Sequence, residues 1–233
     1  MKWPSLIGGT LVKRYKRFLA DVRLDDGRVV TAHCPNSGSM RQCQEPGAPV
    51  RLSISQNAKR KLPFTWELIH HGNTWIVVNT GRANQLARET LELGAFPPLA
   101  GLHGIKAEVP YGESRADFMA MDAAGRRTWI EVKSVSLLDD GGHYSFPDAV
   151  TLRGQKHLEE LMRVVREGDR GVLWFLLMRG DGRGFRPADS IDPEYSRLCA
   201  QALERGVEIH VGHCRIDEKE IVVDGVEKPV IIP

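Results

Sequence analysis

The sequence has no long apolar run. Its longest, VLWFLLM from Val172 to Met178, falls far short of the roughly 20 residues that a membrane-spanning helix needs. The opening stretch, MKWPSLIGGT, holds one Lys and nothing like the apolar core of a secretory leader. These two absences predict a cytoplasmic protein with no membrane partner. Cysteines are few: Cys34, Cys43, Cys199 and Cys214 form no C-x-x-C pair, which excludes a zinc ribbon or a redox motif and suits reduced structural thiols. There is no glycine-rich nucleotide loop, no internal repeat and no low-complexity tract.

What charge there is lies unevenly. The whole chain has a net charge of +2, yet residues 1–80 hold 12 Lys and Arg against 5 Asp and Glu, while residues 81–233 hold 20 against 25. A basic first third predicts an anionic partner, with nucleic acid first among candidates, or else a solvated basic surface.

Up to Thr80 the pattern is one of short β-type runs between turn signals. KRFLADVRL and RVVTAHC flank a turn at Asp25–Gly27, APVRLSIS follows a Pro-Gly break, and FTWELIH and TWIVVNT flank His71–Asn73. About five strands without an amphipathic helix predict a small all-β barrel of the oligonucleotide-binding (OB-fold) type over residues 1–80, with an open sandwich, which writes a similar pattern, as the alternative. From residue 81 onward helices alternate with strands, which predicts an α/β domain over residues 81–233. RANQLARETLELG reads as a helix stopped by Gly94, GIKAEVPYG as a strand, and Ala149 to Glu167 as a helix with Leu158, Leu161, Met162 and Val165 on one face. GVLWFLLMR reads as a central strand covered on both sides, PEYSRLCAQALERG as a helix, and VEIHVGHCRI as a last strand.

Within the second half, RADFMAMDAAGRRTWIEVKS, from Arg115 to Ser134, sets a carboxylate in each of two apolar runs. Folding this hairpin about Ala124 pairs Phe118 with Ile130, Met119 with Trp129, and Asp117 with Glu131, matching apolar with apolar. Alternation then places Asp117, Met119 and Met121 on one face, with Trp129, Glu131 and Lys133 on the matching face. Two carboxylates directly opposite, roughly 5 Å apart, repel one another unless something intervenes. A divalent cation is the natural intervener, and Mg²⁺ favours one or two carboxylates with several waters. Asp117 and Glu131 are therefore expected to hold Mg²⁺ or Mn²⁺. Lys133 would orient or deprotonate an attacking water, or meet the charge that builds on phosphorus. A half-exposed hairpin with Lys133 neutralising Glu131 is the plainer alternative, and Met119 and Trp129 on the same face argue against it.

The pattern D-x(13)-E-x-K resembles the PD-(D/E)-x-K nuclease superfamily, with Ala116 where that family usually has Pro. Read with VKRYKRFLADV, HCPNSGSM, NAKRKLPFTWEL, SRADFM, IEVKS, FPDAVTLRGQKHLEEL and RGVEI, the chain resembles the sugar fermentation stimulation protein family nearly end to end. The resemblance implies an N-terminal OB-fold-like barrel joined to a restriction endonuclease-like α/β domain. It also implies DNA as a partner in preference to RNA, bound with little sequence preference. Carried over, the motif positions are Asp117, Glu131 and Lys133. The activity implied is metal-dependent phosphodiester hydrolysis; the alternative is a non-catalytic DNA-binding regulator of sugar or maltose metabolism that uses the nuclease fold as a scaffold.

Further candidates surround this centre. Gln155, in RGQKH, is expected to add a polar group to the metal site, while Arg153, Lys156 and Arg115 are expected at phosphates. Glu89 or Glu108 are candidates for a third carboxylate. In the barrel half, Lys13, Arg14, Lys16 and Arg17, together with Lys59, Arg60 and Lys61, are expected to neutralise phosphates, with Tyr15, Phe64 or Trp66 stacking on bases, or else Phe18, Phe64 and Trp66 forming the barrel core. The loop His33 to Met40 is a candidate anion-binding loop. Nothing in the sequence sets an oligomeric state.

Overall fold

Short strands separated by tight turns can remove their edges by closing on themselves, and the first third of the chain does so. The computed structural model describes residues 1–227 and 229. Strands β1 (Leu6–Tyr15), β2 (Leu19–Leu24), β3 (Val29–His33), β4 (Pro49–Ile54), β5 (Phe64–His71) and β6 (Thr74–Val77) form a sheet of order β3-β2-β1-β4-β5-β6. A β3–β5 pairing at His33 and Thr65 closes the first five into a barrel. Leu11, Val22, Val50, Leu52 and Trp66 fill its interior.

The sequence reading missed β1 and began the first strand at Lys16. Gly8 and Gly9 obscured the period of β1, yet Gly9 is needed there, because a Cβ on it would stand 2.7 Å from Val22 and from the Arg23 carbonyl. Trp66 belongs to the barrel core and Phe64 packs against it, whereas Phe18 is exposed.

The second half contains α1 (Gly81–Glu92), β7 (His103–Tyr111), β8 (Ser114–Met121), β9 (Arg127–Val135), β10 (Leu137–Leu138) and β11 (Tyr144–Phe146). It continues with α2 (Leu152–Arg166), β12 (Arg170–Leu177), β13 (Phe185–Pro187), α3 (Pro193–Glu204), β14 (Glu208–Ile216) and β15 (Ile221–Glu227). Six strands form a mixed sheet of order β15-β14-β12-β9-β8-β7, in which β9, β12 and β14 run parallel; β10, β11 and β13 make a small second sheet. β12 is the apolar run of the sequence, and it alternates as a strand covered on both sides must. Val172, Trp174 and Leu176 pack towards α1, and Leu173, Phe175 and Leu177 towards α2 and α3. α1 ends where predicted: Gly94 takes a left-handed φ of 61° and donates to the Leu91 carbonyl at 3.1 Å.

The two halves are tied by buried polar bonds. Glu67 of β5 is 1 % exposed, and its carboxylate accepts from both nitrogens of an Arg82 fork (2.7 and 2.9 Å), from Ser53 (2.6 Å) and from Asn79 (2.9 Å). The Gln42 amide pairs with both backbone groups of Leu138, at 2.9 and 3.0 Å, and Val77 N–H donates to the Met178 carbonyl at 2.9 Å. All four cysteines are free and buried. Burial pushes the Cys43 thiol up to about 11 and the Cys199 thiol up to about 12, as expected of structural thiols. Among the described residues no helix is long and apolar enough to cross a membrane.

Candidate active site

The β8–β9 hairpin has the expected register over its outer part: Phe118 pairs with Ile130, Met119 with Trp129 and Ala120 with Thr128. The ladder stops at Phe118–Ile130, so Asp117 and Glu131 are not a facing pair. Strict alternation also breaks here. Ala116 packs on the α2 side and Phe118 on the α1 side, so the phase of β8 slips at Asp117. The Asp117 carboxylate turns into the gap: Oδ2 accepts from Val132 N–H at 2.8 Å and Oδ1 from Asn84 of α1 at 2.7 Å. Glu131 keeps its predicted face and is fully buried on the α2 side.

Glu131 is bonded on both oxygens. Tyr111 O–H donates to Oε1 at 2.6 Å, while Oε2 lies 3.1 Å from Lys133 Nζ and 2.6 Å from His157 Nδ1. The Arg153 guanidinium donates to His157 Nε2 at 3.4 Å. That leaves one consistent tautomer, with the proton on Nδ1 directed at Glu131. The 3.2 Å approach of Lys133 Nζ to the same Nδ1 is then packing and not a hydrogen bond.

These surroundings push the two carboxyls apart. Burial and the neighbouring Glu131 charge raise Asp117, against Lys133, the Val132 N–H and Asn84. Burial would also raise Glu131, but Lys133, His157 and Tyr111 outweigh it and hold Glu131 at about 2. Burial and the Glu131 charge push the Tyr111 phenol upward, so it stays protonated as a donor.

A cleft of about 500 Å³ opens onto this network, and both halves of the chain wall it. Asp117, Glu131, Lys133, Arg153 and His157 line it from the α/β side, and Arg17, Asn36, Ser37 and Gly38 from the barrel. The loop His33 to Met40 does direct donors at an anion, but that anion is Asp148 of the other half. Met40 N–H lies 3.3 Å and Ser39 Oγ 3.4 Å from its Oδ2. A Cβ on Gly38 would stand 2.2 Å from the same oxygen, so only glycine permits the approach.

Other expected residues lie elsewhere. Gln155 is outside the cleft: its amide donates to Asp192 at 2.9 Å, joining the N-terminus of α2 to that of α3. The face of α2 that reaches the cleft carries Arg153 and His157, four residues apart, and a position two from either is turned away from it. Glu89 pairs with the chain's N-terminal ammonium at 2.8 Å, and Glu108 is exposed on β7, so neither joins the carboxylates; α1 contributes Asn84 instead.

Arg14 is consumed by carbonyls, donating to those of Arg17, Asn36 and Gly38 at 3.1 Å each, so it builds the cleft wall in place of meeting phosphate. Lys13 lies 3.7 Å from Asp21, Lys156 2.7 Å from Glu113, and Arg115 is exposed beyond the cleft. Lys16 is exposed in the β1–β2 turn, and Lys59, Arg60 and Lys61 are exposed on the β4–β5 loop, with Arg60 at 3.2 Å from His33. His157, Tyr111 and Asn84 were missed as site residues. The Arg-x-x-x-His spacing that opens α2 was the available signal for His157; none pointed to Tyr111 or Asn84.

Among the described residues no three His, Cys, Asp or Glu side chains converge as a ready metal cage. The donors still suit a hard cation that keeps most of its water. A carboxylate has about four lone-pair sites; Asp117 uses two and Glu131 three.

Residues 81–220 match the family model described as the Sugar fermentation stimulation protein RE domain, and residues 12–78 match the one described as the SfsA N-terminal OB domain. The sugar fermentation stimulation protein homologue of Geobacter sulfurreducens is 54% identical over 217 residues, covering 93% of this chain and 92% of its own. That of Pelobacter propionicus is 53% identical over 222 residues, covering 95% and 96%. The solved structure of Pyrococcus furiosus SfsA in complex with Ca²⁺ shares 27% identity and superposes with a TM-score of 0.88, covering 97% of this chain and 96% of that one.

Proposed function

The chain belongs to the sugar fermentation stimulation protein family, and from that premise we propose that it binds DNA and hydrolyses phosphodiester bonds with Mg²⁺ or Mn²⁺ at Asp117 and Glu131. The observation that carries the reading is the meeting of two carboxylates with opposed shifts and one lysine at the floor of a cleft walled by an OB barrel. The Ca²⁺ held by the Pyrococcus furiosus relative supports a hard divalent ion in this fold. When bound, such an ion polarises a phosphoryl oxygen and lowers the pKa of a coordinated water.

The protein's own groups do the rest. Asn84 and the Val132 N–H aim Asp117, and Tyr111 and His157 fix Glu131. Lys133 places its ammonium at the cleft, where it meets negative charge developing on the phosphate. Arg153 on α2 supplies a cation in the cleft, and the exposed Lys59–Lys61 loop offers further cations to a polyanion outside it.

One feature favours a non-catalytic DNA-binding regulator. Glu131 is satisfied by Tyr111, Lys133 and His157 without any ion. One experiment separates the readings: wild type and Asp117→Ala are incubated with labelled single- and double-stranded DNA and RNA in Mg²⁺, Mn²⁺ or EDTA. The expected result is metal-dependent fragments that Asp117→Ala abolishes, a loss of roughly 10³-fold or more in rate, with DNA binding retained. Binding without fragments would favour the regulator, and cleavage by Asp117→Ala at the wild-type rate would remove the site assignment.

A further inference from the structure

Arg17 belongs to the barrel, yet it lines the same cleft as Asp117, Glu131 and Lys133. It sits at the tip of the β1–β2 hairpin, where Lys16 and Arg17 both take left-handed φ values, 47° and 62°. Phe18 N–H closes this turn onto the Lys16 carbonyl at 2.7 Å. A tight turn with positive φ on two successive side-chain-bearing residues is strained, and Gly or Asn would relieve it.

Two features show where the strained tip is aimed. Arg14 fastens it to the cleft wall, bonding the Arg17 carbonyl on one side and those of Asn36 and Gly38 on the other. The Arg17 guanidinium itself has no hydrogen-bond or ion-pair partner among the described residues, and it shares the cleft with Lys133 and Arg153. The cleft's roughly 500 Å³ is the size class of a small ligand such as a mono- or dinucleotide.

We propose that Arg17 is a substrate-contacting residue that grips a phosphate of a nucleic acid lying in the cleft between the barrel and the α/β domain, beside the phosphate that meets Asp117, Glu131 and Lys133. This rests on the nucleic-acid reading given above. The strain at the turn persists because the fold holds a guanidinium at that point, where glycine would satisfy the backbone better.

The test uses the full chain as wild type, Arg17→Gly, Arg17→Lys and Arg23→Ala, the last being an exposed cation on β2 outside the cleft. Anisotropy of a labelled DNA strand and of its duplex is titrated in EDTA across a salt series, and thermal unfolding is followed alongside. Arg17→Gly should unfold at or above the wild-type temperature while binding the single strand roughly 5- to 10-fold more weakly, with a salt slope smaller by about 0.7. Arg17→Lys should keep most of the slope, and Arg23→Ala should match wild type. Unchanged affinity in Arg17→Gly, a loss no greater than that of Arg23→Ala, or a lower unfolding temperature would overturn the role of Arg17. A wild type that binds neither probe at low salt would instead bring down the nucleic-acid reading, and this proposal with it.

Discussion

Two fully buried glutamates, Glu67 in the barrel and Glu131 in the α/β sheet, begin from the same chemistry and end in opposite settings. Glu67 is enclosed: an Arg82 fork and two neutral donors take up its oxygens, and its job is to lock the barrel against α1. Glu131 is equally well bonded, but its lysine faces a cleft and a second carboxylate, Asp117, stands beside it. The contrast teaches that burial and pairing alone do not separate an enclosed structural carboxylate from one at a candidate site. The difference is a buried charge whose network opens onto a ligand-sized space and stands beside a second carboxylate.

Three measurements would break or sharpen this contrast. The largest effect is expected at the enclosed residue. Glu67→Ala leaves the Arg82 fork uncompensated at a buried interface and should cost about 3–5 kcal/mol in urea unfolding. A loss under 1 kcal/mol would show that the two glutamates do not differ as described.

The next effect is acid-dependent. The folded pKa of Glu131 lies at about 2, below its ordinary 4.5, so its contribution is fully present above 4.5 and lost as pH falls toward 2. That contribution is on the order of 3 kcal/mol. Stability curves of wild type and Glu131→Gln should therefore run apart at neutral pH and converge between pH 4.5 and 2. Asp117 works in the other direction: its raised folded pKa means that its contribution is present below 3.8 and lost as pH rises. Parallel curves for wild type and Glu131→Gln down to pH 2 would contradict the arrangement.

The smallest effect is expected at His157. His157→Ala removes one donor from Glu131 and should cost about 1–3 kcal/mol. His157→Asn, whose amide can take the place of Nδ1–H, should recover part of that loss in the same unfolding experiment.

Much of this architecture was legible in advance, and each miss has its own physical cause. β12, the three helices and the outer register of the β8–β9 hairpin were readable because each writes a regular hydrophobic period over enough residues. β1 was hidden by Gly8 and Gly9, and β10, β11 and β13 were too short to write any pattern. At the site, Asp117, Glu131 and Lys133 were visible as charges interrupting apolar runs. Gln155 was misplaced because helical spacing shows which residues share a face but not what that face meets.

The sequence by itself determined the two-part architecture, the basic first third, and the three residues at the heart of the candidate site, because these are written in local periodicity and residue type. Only the tertiary structure decided that β8 changes phase at Asp117, that Asn84, Tyr111 and His157 hold the carboxylates, and that a barrel arginine shares their cleft. Those facts depend on residues far apart in the chain meeting through packing, and no local pattern encodes a distance between such residues.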